Sequence, residues 1–563
     1  MTYMHQTTAR HAQLWLAVTL ALASAVGHAQ SRQTAPPDSG QLLQQVPRTP
    51  ALAPSSNTGL SIEQPPSAQS SSSAAFPVRV ISIVGNTLIP TATLHALVAP
   101  GEGMTLTLTQ LNSLAARITA AYHAKGYPLD SAYIPAQTLS DGLVRIAVIE
   151  ARYGEVSLQN NSTISSRPMR MTLAPLSSSA PVSQGALDRS LLLLSDIPGV
   201  IVGSVLRPGA APGSSDLVVN ATPAPRYSGT LGLDDYGNRF TNRPRLSGTL
   251  NVNSLLGQGD LLDVTAITSG ADMSYGRVGY RYLLNGQGTT VGASVSALQY
   301  RLGNGLSVLH AHGTAQVQSV YVSQPFIRSV AGNLYGQLEY DHKRLNDNID
   351  ITGIDSNRHT DSWTASLAGD HRDSTGVFNF NVSGTWGKLH FNNPISQFVD
   401  MLGPQTRGSY ARYNLSLARL QQLSTSNSLY VGFTAQWSSR NLDTSEQFYL
   451  GGPDTVRGYD VGAITGSQGN LATIELRHEL QLPLPGAWQV SAFADSGHIE
   501  AYKDTFAAGP NAARVTSAGL GMHWVGPQSW LVSATISTPV GAAPALLGPT
   551  SSTRLWVQVQ KGF

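Results

Sequence analysis

Apolar and polar residues alternate one by one through much of the chain beyond Arg226. In LYVGFTAQW (429–437), Leu429, Val431, Phe433, Ala435 and Trp437 share one face, and Tyr430, Gly432, Thr434 and Gln436 take the other. WLVSATIST (530–538) and RLWVQVQKGF (554–563) repeat the pattern. Alternation of period two predicts strands with one apolar face, here about 9 to 11 residues long, the length that crosses a bilayer on a tilt. No helical periodicity is read in residues 226–563. At roughly 20 residues per strand and loop, that region holds ~16 strands. Backbone groups in lipid have no water to bond, so a membrane sheet must close on itself. The pattern predicts a transmembrane antiparallel β-barrel; alternation alone also fits a large soluble β-sandwich or propeller.

A different period precedes it. LTQLNSLAARITAAYHAKGY (108–127) places Leu111, Leu114, Ile118, Ala121 and Tyr122 on one helical face, and Gly126 supplies a stop. VRVISIVGNTLI (78–89) reads as a strand, and SAYIPAQTLSDGLVRIAVIEA (131–151) as two strands joined at SDG. The order then recurs. YGEVSLQ (153–159) is a strand, QGALDRSLLLLSDIPG (184–199) a helix ending before Pro198, and VIVGSVLR (200–207) and DLVVNATP (216–223) two further strands. Tandem units of this kind imply a duplicated αβ module, over residues 77–152 and 153–224, with the barrel at 225–563.

The N-terminus has its own signature. LWLAVTLALASAV (14–26) is too short to span a bilayer; Arg10 precedes it, and Gly27 and Ala29 follow at cleavage-site spacing. This is the layout of a secretory signal peptide over residues 1–29. Residues 30–76 are rich in Ser, Pro, Gln and Ala and read as a linker. Within them SGQLLQQVPR (39–48) is one short helical stretch, either a mobile plug or a disordered tail.

Composition narrows the function. Only 12% of the 563 residues are charged, the net charge is +2, and there is no cysteine. Scattered basic residues exclude a nucleic-acid partner, and the lack of a Walker-type loop excludes a nucleotide. LHAHG sets His310 and His312 on one strand face, too few ligands for a metal. HELQL (478–482) lacks the second histidine of a zinc protease, and GASVS (292–296) lacks the last glycine of a nucleophile elbow. The chain reads as a non-enzyme with no cofactor and no metal.

One stretch breaks the alternation. GGPDTVRGYD (451–460) surrounds Arg457 with Val456, Gly458 and Tyr459, after Gly451 and Gly452. A guanidinium in restricted water needs a carboxylate, which its fork of donors can grip bidentately. In AFADSGHIE (492–500), alternation puts Phe493, Asp495 and Gly497 on one face and Ala492, Ala494, Ser496 and His498 on the other. An inward Asp495 would meet Arg457 folded down from its loop. By spacing alone, an ordinary hairpin with a solvated arginine remains equally open.

These segments resemble a known family. IPAQTLSDGLVRIAVIEARYGEV (134–156) resembles the end of a POTRA domain, and LDRSLLLLSDIPGVIVGSVLRPGAAPGSSDLVV (187–219) a second one. LGGPDTVRGY (450–459) is similar to the signature loop of the BamA-like outer-membrane superfamily, and FADSG (493–497) to its second barrel signature. Two modules and the DIPG segment make the chain resemble the two-partner secretion transporters, TpsB proteins of the FhaC/ShlB type. The resemblance implies two small periplasmic αβ POTRA domains and a barrel of about 16 strands in the bacterial outer membrane. It implies a lumen loop motif of Gly451, Gly452, Val456, Arg457, Gly458 and Tyr459 meeting a wall motif of Phe493, Asp495 and Gly497. It further implies Phe563 as a C-terminal signal read by the outer-membrane assembly machinery. The partner would be a large secreted protein of the TpsA type, a haemolysin or adhesin, carried unfolded across the lipid. The alternatives are an assembly factor of the BamA or TamA kind and a passive porin.

Overall fold

The computed structural model describes residues 36–46, 56–63, 74–138, 141–547 and 553–563. The signal-peptide reading at 1–29 lies outside these residues, as do the last two positions of the 39–48 stretch.

The first module is built on the helix Leu108–Ala124. Thr107 accepts a hydrogen bond from the Gln110 amide, and the Gln110 side chain accepts one from the Thr107 amide, so the first turn is capped reciprocally. Gly126 adopts φ +85° and stops the helix. Leu111, Leu114, Ile118 and Tyr122 are buried against Ile81, Val144 and Ile146 of a three-stranded sheet. In that sheet Val80–Val84 runs parallel to Leu143–Ile149, with Ser131–Tyr133 antiparallel beyond it. The helix Thr91–Val98 was not foreseen. It buries only Leu94 and Val98, one i, i+4 pair, which is too little periodicity to register.

The second module repeats the plan with the helix Gln184–Ser195, which ends before Pro198, and the unforeseen helix Ser166–Leu173. Its sheet has one strand more than the first. Leu60–Ile62, from the linker, lies parallel beside Val200–Pro208, followed by Ser214–Pro223 and Arg152–Asn160. The free edge of Val200–Pro208 is thus covered from Ser204 to Leu206 by the chain's own linker.

A polar cluster closes the first module at its C-terminal end. Glu150 accepts hydrogen bonds from the amides of Thr87 and Leu88 and from the Tyr122 hydroxyl. Burial works to raise its carboxyl, but these donors outweigh it and hold the group below the usual carboxylate range. Asp130 is fully enclosed: Oδ1 accepts the Ala151 amide at 2.8 Å, and Oδ2 has no partner among the described residues. Burial pushes its carboxyl up to about 6.

After Tyr227 the chain forms a closed barrel of sixteen strands, each antiparallel to its neighbours. Tyr227–Asp234 pairs with Arg554–Gly562 through Thr230↔Gly562 to Asp234↔Gln558 and closes the wall. The Phe563 amide and carbonyl both bond to Gly229 at 3.1 Å, so the last residue is part of that seam, with its ring exposed. An even strand count returns this end to the side of the αβ modules. There Arg328 holds Asp196, the residue after the second module's long helix, at 2.7 and 2.8 Å.

Three expectations are corrected. Strands run from 8 residues in Leu261–Thr268 to 19 in Ile354–Arg372, and are not uniformly 9 to 11. The long ones carry polar residues on the outer face beyond an aromatic row of Tyr340, Trp363, Trp386 and Tyr413. They therefore continue past the lipid as a raised rim, which a bilayer-crossing length does not limit. The barrel region also contains a helix, Pro394–Leu402, in the loop after Gly376–Phe391. Asn393 caps it by accepting the Ile395 amide at 2.8 Å. Its apolar face is turned outward, so alternation read for a core-facing stripe passes over it. Finally, His310 sits in a loop with φ +47°, and only His312 is in a strand.

Asp130→Asn should protect the first module. The folded Asp130 binds its proton more tightly than the unfolded chain does, so it costs stability above about pH 6 and costs none below pH ~4. Hydrogen exchange across residues 108–151 of the intact protein, corrected for intrinsic rates, should be slower in the variant at pH 7.5. The advantage should fade toward pH 4; equal protection at pH 7.5 would contradict the assignment.

Candidate functional site: the arginine loop in the barrel lumen

Strand pleat decides which residues face the lumen. In Ala487–Glu500 the buried residues are Ser491, Phe493, Asp495, Gly497 and Ile499, while Ala492 and Ala494 are exposed on the outer wall. In the neighbouring Gln468–Leu480, Thr473 pairs with Asp495 and Glu475 with Phe493, so these residues share the inner face.

The loop of residues 439–467 folds into this interior, and its tip brings Arg457 onto Asp495. The guanidinium Nε and Nη2 donate to Oδ2 and Oδ1 of Asp495, both at 2.9 Å, and the Arg457 amide donates to Oδ2 at 3.2 Å. Nη1 donates to Glu475 at 2.6 Å. The guanidinium carbon stands 3.2 Å from the centre of the Phe493 ring, a cation–π contact. Thr473 and Ser517 hydroxyls complete the shell of Asp495 at 3.1 and 3.3 Å. The Arg457 carbonyl accepts hydrogen bonds from Ser537 and from the Trp556 indole. Arg477 in turn donates to Glu475 at 2.8 Å, so two arginines face two carboxylates and the enclosed charge is balanced.

The glycines create the approach. A Cβ on Gly458 would lie 2.7 Å from that of Ser517, and one on Gly497 would lie 2.5 Å from Leu450. Gly451 and Gly452 turn the chain at φ +101° and +113°. Val456 and Tyr459 are buried in an apolar cluster with Leu450 and Ile464 that seats the tip.

Two acidic partners were missed. Glu475 lies on the polar face of an alternating strand, NLATIELRHEL, and that alternation was the signal available for it. Asp460 ends the quoted loop motif. Arg243 and Arg554 hold it at 2.6 and 2.7 Å, with Arg239 at 3.5 Å. Those arginines come from the first extracellular loop and the last strand, so no local spacing announces them.

The base of the same loop meets the short helix Ser39–Gln44, which lies in the lumen. Asp38 caps the helix and is held by Arg358 at 2.9 Å and Thr444 at 2.7 Å. Arg358 also grips Asp347 at 2.7 Å and Asp443 at 2.6 Å. Ser39 bonds to Asp347 through its amide and its hydroxyl. Leu42 inserts among Leu298, Tyr300, Ala315 and Leu345 of the wall. Elsewhere in the loop, Glu446 pairs with Lys343 and Arg412.

Comparisons with known proteins agree with this architecture. Residues 213–524, more than half of the chain, match the family described as haemolysin secretion/activation protein ShlB/FhaC/HecB. Residues 76–151 match the ShlB-type POTRA domain. The heme/hemopexin transporter protein HuxB of Haemophilus influenzae is 26% identical over 516 residues, covering 90% of this chain and 91% of HuxB. The outer membrane transporter CdiB of Escherichia coli O6:K15:H31 is 23% identical over 462 residues, covering 80% of this chain and 76% of CdiB. The solved structure of CdiB from Escherichia coli superposes with a TM-score of 0.70 at 21% identity, covering 89% of this chain and 93% of that one. The chain thus belongs to the ShlB/FhaC/HecB haemolysin secretion/activation family of outer-membrane transporters, which export a partner protein through a β-barrel.

Proposed function

We propose that the loop of residues 439–467 is a latch that holds the export pore in its resting form, with Arg457 as its bolt. The observation that carries this reading is the grip of one guanidinium on two enclosed carboxylates from adjacent strands. The helix Ser39–Gln44 acts as a plug coupled to the latch, because Arg358 and Thr444 bind Asp38 while Arg358 binds Asp443 of the loop. The two POTRA modules receive the unfolded partner, of haemolysin or adhesin type, by adding it as a strand. The edge of Val200–Pro208 suits that role, since a three-residue linker strand already pairs there and forms few bonds to displace. Phe563, at the seam, serves as the C-terminal signal to the assembly machinery. Export needs no nucleotide in this scheme; binding along the pore and folding outside supply direction.

Removing one member of a buried ion pair typically costs ~3–5 kcal/mol. In Arg457→Ala the loop tip loses its seat on the wall and lies free in the lumen across the export path, so secretion of the partner should fall at least tenfold while the barrel stays membrane-inserted and heat-modifiable on gels. Arg457→Lys should also be impaired, because a lone ammonium cannot reproduce the bidentate fork. Wild-type secretion by Arg457→Ala would end the latch reading. For the plug, Arg358→Ala should raise small-ion conductance of the purified protein in planar bilayers several-fold. An unchanged conductance would show that the helix does not close the pore.

A further inference from the structure

The helix Pro394–Leu402 is inside out. Ser396 and Asp400 form its buried face: the Ser396 hydroxyl donates to the Asp355 carbonyl, and Asp400 accepts the Thr406 and Arg407 amides and the Thr406 hydroxyl. Ile395, Phe398, Val399, Met401 and Leu402 are 53–68% exposed. A polar face packed on the rim and an apolar face turned outward suit a helix that meets something apolar.

Beside it lies a cavity of about 390 Å³, lined by Lys388, His390, Arg407 and Arg440, with Gln397 and Met401 from the helix. Asp400 is the only acidic residue in that lining, and backbone amides and Thr406 already occupy both of its oxygens. Arg440 donates to the carbonyls of Gln405 and Ser409, which leave its charge unneutralised. Among the described residues, the side chains of Lys388 and Arg407 have neither a hydrogen bond nor an ion pair. Lys388 and His390 also alternate with Trp386 on the outer face of the wall, so Lys388 stands one outward position, about 7 Å along the strand, above the aromatic row. Aromatic rows mark the edge of the apolar band in membrane barrels.

The geometry points to a binding site for a phosphorylated glycolipid of the outer leaflet, of the lipid A class: Lys388, Arg407 and Arg440 take a headgroup phosphate, Met401 of the helix walls the cavity, and the acyl chains run down past Trp386 and Tyr413 into the apolar band. Three points favour a lipid over a protein occupant. Lys388, Arg407 and Arg440 outnumber the carboxylates beside them, Asp400 in the lining and Asp361 across the strand from Lys388, and so match an anionic headgroup. The site is continuous with the lipid-facing aromatic row. It also opens on the outer wall of the barrel, whereas the exported chain emerges from the lumen. The inference goes beyond the latch and stands whether or not Arg457 acts as its bolt.

The test uses the full-length protein, purified in detergent and freed of bound lipid, titrated with hexa-acylated bisphosphorylated lipid A and read by native mass spectrometry. Lys388→Gln/Arg407→Gln and Trp386→Ser/Tyr413→Ser should each weaken binding at least fivefold, with heat-modifiability confirming a folded barrel. Dephosphorylated lipid A should bind the unaltered protein as poorly as bisphosphorylated lipid A binds the charge variant. That arm decides the question even if a variant fails to fold. Millimolar inorganic phosphate should not compete, since the acyl contacts are absent. Three results would overturn the site: binding by the charge variant within twofold of the parent, indifference to the phosphates, or no affinity for lipid A at all.

Discussion

A positive charge enclosed by protein inside a lipid-embedded cylinder must be balanced where it sits. Arg457 meets this constraint with Asp495, Glu475 and the face of Phe493, and the wall is arranged to supply them. Asp495 can point inward only because its strand keeps strict alternation, and the tip can reach it only because Gly458 and Gly497 leave room. Water that would solvate the separated charges is scarce there, so opening the clasp leaves partners without substitutes. A loop that is polar in sequence is thereby seated in the interior by paired charges and by the apolar cluster around Val456 and Tyr459.

The same loop collects the other charges of the lumen. Asp443, Glu446, Arg457 and Asp460 each meet opposite charges from different parts of the wall or its loops. The lumenal helix joins this set through Asp38 and Arg358. Loop and helix therefore share a partner, and moving either disturbs the neutralisation of the other. That coupling is the physical basis for reading the two as one closure. Outside the membrane the modules obey a different rule: the covered edge of Val200–Pro208 is held by main-chain bonds, which carry little dependence on sequence.

The outer wall divides by solvent. Below Tyr340, Trp363, Trp386 and Tyr413 the outward positions meet lipid and are apolar. Above them Arg344, Lys388 and His390 occupy the same pleat positions. The strands continue without interruption across that boundary because hydrogen bonding within the sheet does not depend on what lies outside it. Strand length is accordingly a property of the rim as well as of the bilayer, which is why Ile354–Arg372 reaches 19 residues.

Sequence alone determined the features that repeat on a short period. The pleat has period two and the helix 3.6, so LYVGFTAQW showed its lipid face, AFADSGHIE showed Asp495 inward, and residues 108–124 showed their core stripe. The count of sixteen strands followed from chain length. The helices Thr91–Val98, Ser166–Leu173 and Pro394–Leu402 escaped, being too short or apolar on the wrong side. Tertiary structure alone decided that Glu475 joins Asp495 on Arg457, that Arg554 and Arg243 converge on Asp460, and that the linker strand Leu60–Ile62 covers a sheet edge. Such contacts join residues tens to hundreds of positions apart, and only the folded barrel, or for the linker strand the folded second module, brings them within reach.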